Sequence, residues 1–233
     1  MTYWKPRLLL LKIRQINRSR LARRRQRIAS NASSMPGAKF DLFSLVDPAC
    51  IRLRVEPNGP PEVSILIAAY GQVSYSLRCL ASIAANNPIA SYEVILVEDA
   101  SGDPDAGSLH HVEGLHYIFN AENLGYLRSC NLAAKRARGK YLLLLNNDTE
   151  LLPGAIDELV KLAKDRPSAG LIGSRLLYPD GRLQEAGGVV WSDGTASNFG
   201  RFDVPNRHSY EYVRAADYCS AASLLIDLQL WRD

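Results

Sequence analysis

The chain has 233 residues, of which 47% are hydrophobic and 22% charged, and a formal net charge of +4. That length buries a sizeable core, fits one large domain or one domain with an extension, and excludes a wholly disordered chain. The charge is uneven: residues 1–40 hold eleven Lys or Arg and no Asp or Glu, leaving 17 basic against 24 acidic groups in 41–233. An acidic remainder repels phosphate, and no aromatic-interleaved basic module is present, so nucleic acid is not an expected partner.

Residues 1–30 mix Trp4, the leucines at 8–11, Ile13 and Ile16 with a dense set of arginines. Leu9, Ile13 and Ile16 fall on one helical face, which Arg20 and Arg23 to Arg25 interrupt. Two readings stand equally. One is a basic amphipathic anchor on an anionic leaflet, where each Lys or Arg contributes about 1 kcal/mol. The other is a solvated leader. No run approaches the roughly 18 apolar residues of a membrane span. LLLLKI at 8–13 is broken by Lys12 and followed by arginines instead of a cleavage site. The expected location is the cytoplasm, with peripheral contact at the inner face of the cytoplasmic membrane through residues 1–30. Cys50, Cys79, Cys130 and Cys219 lie far apart with no C-x-x-C, as expected of free thiols in a reducing compartment.

Residues 31–61 are rich in Ser, Pro and Gly and read as a linker with a short ordered patch at FDLFSLV. From 62 onward the pattern is regular: strands at 63–69, 92–97, 115–119 and 141–145, and helices at 73–85, 124–138 (closed by Gly139) and 154–164 (behind Pro153). Strands that are continuous apolar runs and alternate with helices predict an α/β fold, with a mostly parallel sheet covered on both faces. Beyond 171 the texture changes to turns and a polar, glycine-dotted excursion (SDGTASNFGRFDVPNRHSY), followed by one more strand in DYCSAASLLID.

Three strand ends are polar: Ala69-Tyr70-Gly71, Glu98-Asp99-Ala100-Ser101 and Asn146-Asn147-Asp148. If the strands are parallel neighbours, these ends meet at one edge of the sheet, where such folds bind ligands. A carboxylate there can accept the N3–H of uracil or thymine, and a second can ligate a divalent cation that neutralises a diphosphate. G-x-G-x-x-G and G-x-x-x-x-G-K-[ST] are both absent, which argues against a dinucleotide enzyme or a P-loop ATPase.

VSILIAAYGQ, YEVILVEDASGD, NLGYLRSCNLAAKRARGKYLLLLNNDTELLPGAIDEL and GLIGSRLLYPDGRLQEAGGVVW resemble, in colinear order across about 62–231, the blocks of family 2 glycosyltransferases. These have the GT-A (Rossmann-like) fold, and the resemblance is strongest to members that build bacterial surface polysaccharides. The resemblance implies that 62–233 is a GT-A domain. It implies that Ala69 and Tyr70 pack against the nucleotide base and that one of Glu98 and Asp99 reads it, Asp99 being favoured. Asn123 and Gly125 match the turn before a helix whose Arg128 and Asn131 face the nucleotide. Asn146, Asn147 and Asp148 match the D-x-D motif, with Asp148 as ligand of Mg²⁺ or Mn²⁺ and Asn146 near the ribose.

Each assignment has a plainer alternative: an Asx turn for Glu98 and Asp99, a helix N-cap for Asp148, and a surface ion pair for Arg128. Gly187, Gly188, Trp191 and Asp217 are candidates for the sugar or acceptor pocket, with turn glycines and a core indole as the alternative. His110, His111 and His116 show no metal-ligand spacing and read as caps or decoration of the third strand. The implied reaction is inverting transfer from a UDP- or dTDP-sugar to a glycan or lipid-linked acceptor. The family's general base lies in an E-D-x-D-like segment after a strand like SAASLLI, so no catalytic base is identified before Asp233, and the domain is expected to be incomplete at its C-terminus. The alternatives are one part of a split enzyme or a binding fragment without turnover.

Overall fold

From Val63 to Asp165 apolar runs of five to seven residues form strands and the amphipathic segments after the first, third and fourth of them form helices, whereas the second leads to the third without an α-helix. In the computed structural model, residues 8–11, 46–54 and 59–233 are described. In chain order the elements are β1 (Leu8–Leu11), β2 (Val63–Ala69), α1 (Val73–Asn86), β3 (Tyr92–Glu98), β4 (Leu115–Phe119), α2 (Tyr126–Ala134), β5 (Tyr141–Leu145) and α3 (Ala155–Asp165). The excursion follows as β6 (Leu171–Gly173), β7 (Leu176–Leu177), β8 (Leu183–Glu185), β9 (Gly188–Val190), β10 (Ala196–Asn198) and β11 (Val213–Ala216). The chain then returns to the sheet as β12 (Ser223–Asp227) and α4 (Leu228–Arg232).

Eight strands form the central sheet in the order β11-β1-β6-β12-β5-β2-β3-β4. β5, β2, β3 and β4 are parallel neighbours, whereas β12 runs antiparallel between β5 and β6. The hairpins β7–β8 and β9–β10 stand outside the sheet. Along β2, β3 and β5, alternate residues serve opposite faces, as the strand period of two requires. Ile65, Val94 and Leu143 join the core beneath α1 and α3, whereas Leu66, Ile95 and Leu144 join the core beneath α2 and α4. Helices therefore cover both faces, as the sequence predicts.

Three departures have local causes. The helix predicted over 124–138 spans only Tyr126–Ala134. At its start the N–H groups of Leu124 and Gly125 are drawn to Asp99, and at its end the N–H groups of Arg138 and Gly139 are drawn to the buried Glu93 and Ser64. Residues 46–54 are not a linker: Ile51 and Leu53 are buried in the core, and Leu53 donates its N–H to Glu113 O. Their alternating apolar residues (Ile51, Leu53) sit in a stretch whose Pro and Gly obscure the strand-like pattern. Leu9 lies in β1, paired with β6 on one side and β11 on the other, and not on a helical face. Two sheet edges supply hydrogen-bond partners that a short isolated helix lacks. The rest of 1–30, including Ile13 and Ile16, and most of FDLFSLV lie outside the described residues. No helix among the described residues is long and apolar enough to cross a membrane.

Gly139 sits where β5 approaches β2. A Cβ there would lie 2.6 Å from Ser64 N and 2.9 Å from Val63 C, both backbone atoms that cannot rotate away. Gly139→Ala is expected to destabilise the fold by about 2–3 kcal/mol. Urea denaturation measures this, and an unchanged midpoint would show that the two strands yield at this point.

Candidate functional site

The strand order reverses between β2 and β5: β3 and β4 extend the sheet to one side of β2, and β5 lies on the other. Such a switch point opens a crevice at the carboxyl ends of the strands, and Ala69, Asp99, Asn120 and Asn146 all lie at or just past those ends. The three polar strand ends read from the sequence thus meet, and a fourth, Asn120 after β4, joins them. Ala69 is buried and passes its carbonyl to the Asp99 N–H, whereas Tyr70 beside it is 62% exposed. The next residues, Gln72 at φ 53° and Ala100 at φ 54°, hold left-handed backbone conformations that cost non-glycine residues about 1 kcal/mol or more. Strain therefore collects at this edge of the sheet.

Glu98 and Asp99 are both buried, yet they do different things. Glu98 accepts the N–H groups of Gly71 at 3.3 Å and Ser101 at 2.9 Å, which ties the ends of β2 and β3 together. Asp99 accepts Asn120 Nδ2 at 2.7 Å, Leu124 N–H at 2.9 Å and Gly125 N–H at 2.7 Å. Burial pushes the Asp99 carboxyl up, but the hydrogen bonds from Leu124, Asn120, Ser129 and Gly125 outweigh it and hold the group below its ordinary value. Four donors fill the acceptor capacity of a carboxylate. The Asp99 carboxylate is thus taken up by its own chain. Asn120 and Ser129, themselves linked at 3.1 Å, were not singled out in the sequence. Asn120 follows β4 as Asp99 follows β3, and that shared position was the available signal.

The turn that Asp99 holds opens α2. Asn123 Oδ1 also accepts the Gly125 N–H at 3.0 Å, and Gly125, the residue before the helix, provides no side-chain cap. Arg128 and Asn131 are exposed on this helix, and the Arg128 guanidinium has no ion-pair partner among the described residues. Among the described residues the surface-ion-pair alternative for Arg128 is thus not realised. An uncapped helix start with a cation one turn on favours an anion electrostatically.

At the end of β5, Asn146 donates its N–H to Ala222 O at 3.1 Å, which ties the strand to the segment entering β12. Asn147 turns toward α1 and donates Nδ2 to Ser76 Oγ at 3.1 Å. Asp148 is exposed, and its carboxylate has no hydrogen-bond or ion-pair partner among the described residues. It does not cap α3, whose N-cap is Gly154. Glu150 is paired with Arg78. Beneath them, burial pushes the Cys79 thiol up, and the Asp148 and Glu150 charges push it further. Among the described residues no group of three or more His, Cys, Asp or Glu side chains could hold a metal. One free carboxylate fits a divalent ion that takes most of its ligands from water and phosphate oxygens.

The excursion meets the segment that enters β12, to which Asn146 is tied. Gly187 takes φ 86°, and a Cβ on Gly188 would lie 2.0 Å from the Tyr218 ring, so both glycines have structural reasons. Asp217 accepts the Val190 N–H at 2.9 Å and braces β9. Trp191 is 58% exposed on the β9–β10 hairpin, which overturns the core-indole alternative. Glu185, also not anticipated, is buried and accepts the Ser220 N–H at 2.9 Å, two residues before Ala222 meets Asn146. Burial pushes its carboxyl up against that hydrogen bond. His110 packs edge-on against Tyr117, consistent with a decorative role. A cavity of about 240 Å³ opens at the far end of the sheet, lined by Lys140, Tyr141, Lys164, Leu225 and Asp227, and has no part in this site.

A sequence profile of the family described as Glycosyl transferase family 2 matches residues 64–214. The chain is similar to the uncharacterized protein y4gI of Sinorhizobium fredii, with 31% identity over 163 residues, covering 67% of this chain and 18% of that protein. It is also similar to the O-antigen biosynthesis protein RfbC of Myxococcus xanthus, with 34% identity over 155 residues, covering 65% of this chain and 12% of RfbC. The chain therefore spans less than a fifth of the length of either relative. Among solved structures, the mannosyltransferase PcManGT from Pyrobaculum calidifontis, in complex with GDP-Man and Mn²⁺, aligns with a TM-score of 0.45 and 18% identity, covering 65% of this chain and 46% of that one. The profile match covers more than half of the chain and runs from the start of β2 into β11, and on that ground the chain belongs to glycosyl transferase family 2.

Proposed function

We propose that this chain is the donor-binding part of a glycosyltransferase that takes a sugar from a nucleoside-diphosphate donor and passes it, with inversion, to a polysaccharide or lipid-linked acceptor. The observation that carries this reading is the Asp148 carboxylate, without a partner among the described residues, at the same switch point as the Asp99-held turn and the uncapped start of α2. The base lies against Ala69 and Tyr70, with Glu98 and Asp99 fixing the backbone around it. Asn146 lies on the ribose side. The diphosphate lies between Asp148 and the α2 start, where Arg128 offsets its charge. Asp148 is the residue that would hold Mg²⁺ or Mn²⁺, which supplies charge neutralisation to the departing diphosphate. Gly187, Gly188, Trp191 and Asp217 belong to the sugar and acceptor side, with Trp191 the exposed member. The similarity to an O-antigen biosynthesis protein supports a surface-polysaccharide acceptor. The eleven cations of residues 1–40 support peripheral contact with the anionic inner face of the cytoplasmic membrane.

The test is calorimetric titration of UDP and dTDP into the 233-residue chain with Mn²⁺ and again with the metal chelated. Binding that requires the metal is the expected result. No heat from protein that circular dichroism shows to be folded would sink the donor-site reading.

A further inference from the structure

The excursion carries a second built feature, outside the donor site. Phe202 holds a left-handed conformation at φ 67° and is 51% exposed, an unfavourable backbone state for a bulky residue that leaves its ring at the surface. The ring stacks on Tyr178 at 5.1 Å between centroids, with only 13° between planes. Two guanidinium groups gather on it, Arg182 at 5.0 Å and Arg201 at 4.9 Å from its centroid. Arg182 is anchored by Asp180, whereas Arg201 donates Nε to the Tyr178 hydroxyl at 3.1 Å and has no acidic partner among the described residues.

The local charge runs against the acidic balance of residues 41–233. Here Asp180 and Asp203 are each already paired, with Arg182 and Arg207, and Arg201 is left over. The patch is also tied to the donor site. Leu183, at the start of β8, exchanges backbone hydrogen bonds with Phe202 and Asp203. Glu185, at the end of β8, accepts the Ser220 N–H, two residues before Ala222 meets Asn146. Two residues of strand separate the two contacts, about 7 Å.

We propose that the Tyr178–Phe202 stack with Arg182 and Arg201 is a subsite for an anionic stretch of the acceptor glycan, a reading that rests on the glycosyltransferase function above. Arg182 is held by Asp180, so Arg201, over the ring and without an acidic partner among the described residues, offers its terminal guanidinium nitrogens to a carboxylate, and the weak hydration of a guanidinium lowers the cost of binding an anion at the surface. The strain at Phe202 keeps the platform outside the core, where a ligand can reach it.

The test uses hexagalacturonate as the anionic probe, with maltohexaose and inorganic phosphate as controls, titrated into the 233-residue chain in the presence of UDP and Mn²⁺. Hexagalacturonate is expected to bind at least about tenfold more tightly than maltohexaose or phosphate, and Arg201→Gln and Phe202→Gly are each expected to weaken it by about fivefold or more. Because glycine carries no left-handed penalty, Phe202→Gly is also expected to leave Tm unchanged or raise it by a few degrees, roughly 2–4 °C. Three results would overturn the subsite: no hexagalacturonate binding by protein that still binds UDP, phosphate binding as tightly as the glycan, or binding untouched by either substitution. A fall in Tm of about 4 °C or more in Phe202→Gly would likewise overturn it, by making the ring a packing element. UDP failing to bind while hexagalacturonate binds would count against the donor site and leave this patch standing.

Discussion

Asp148→Ala is expected to abolish metal-dependent UDP binding, with affinity falling by about 100-fold or more, while Tm stays where it is. The two halves of that result have separate causes. Asp148 is exposed and makes no hydrogen bond or ion pair with a described residue, so removing it costs the fold nothing beyond the roughly 0.5 kcal/mol scatter of surface substitutions. The same isolation leaves its charge available to a cation, whereas the neighbouring carboxylate of Glu150 is paired with Arg78. Paired calorimetry and thermal melts of wild type and variant check both halves. A variant that binds UDP as the wild type does would move the metal to other residues, and a large loss of Tm would make Asp148 structural.

Asp99→Ala is expected to do the reverse, unfolding the site as well as emptying it. Its carboxylate receives donors from Asn120, Leu124, Gly125 and Ser129, all within a buried or half-buried turn. Leaving buried donors unsatisfied costs about 1–3 kcal/mol each, and since some of these reach water when the turn opens, the net loss is put at about 3–4 kcal/mol. The loss should appear in urea denaturation together with weaker UDP binding, because the same turn starts α2. Stability near wild type would show that the turn is held by other contacts.

The pH dependence has a defined sign. The folded Asp99 carboxyl titrates below its ordinary value of 3.8, so the ionised form is the one the fold favours. Its contribution is full above that value and is lost as pH falls below it, through the depressed folded value. The stability gap between wild type and Asp99→Asn should therefore be constant from neutral pH down to about 4 and narrow below it.

Most of the sheet was legible because its signals are local. β2, β3 and β5 are mostly apolar runs of five to seven residues, too short for a buried helix, and each is followed within two residues by Gly, Asp or Asn. The same holds for the polar strand ends, since one carboxylate after a buried run is visible without knowing what it touches. The helix at 124–138 shows where this stops. Its pattern is helical throughout, but its ends were set by Asp99 and by Glu93 and Ser64, which lie more than 24 residues away in sequence. Residues 46–54 failed for a related reason: Ile51 and Leu53 alternate with arginines in a stretch too short to read as a strand, and only the non-local pairing with Glu113 carries them into the core.

What the sequence determined by itself was the set of elements, the polar ends of three strands and the isolation of the basic residues in the first 40. Each is a property of neighbouring residues, carried by side-chain period and composition. What only the tertiary structure decided was which acid is free. Glu98, Asp99 and Asp148 are equivalent as letters at strand ends, yet the backbone of β2 and β3 takes up Glu98, the turn before α2 takes up Asp99, and Asp148 is left open. Whether a carboxylate binds its own chain or a ligand depends on the donors that non-local packing brings within about 3 Å, and no local pattern encodes those.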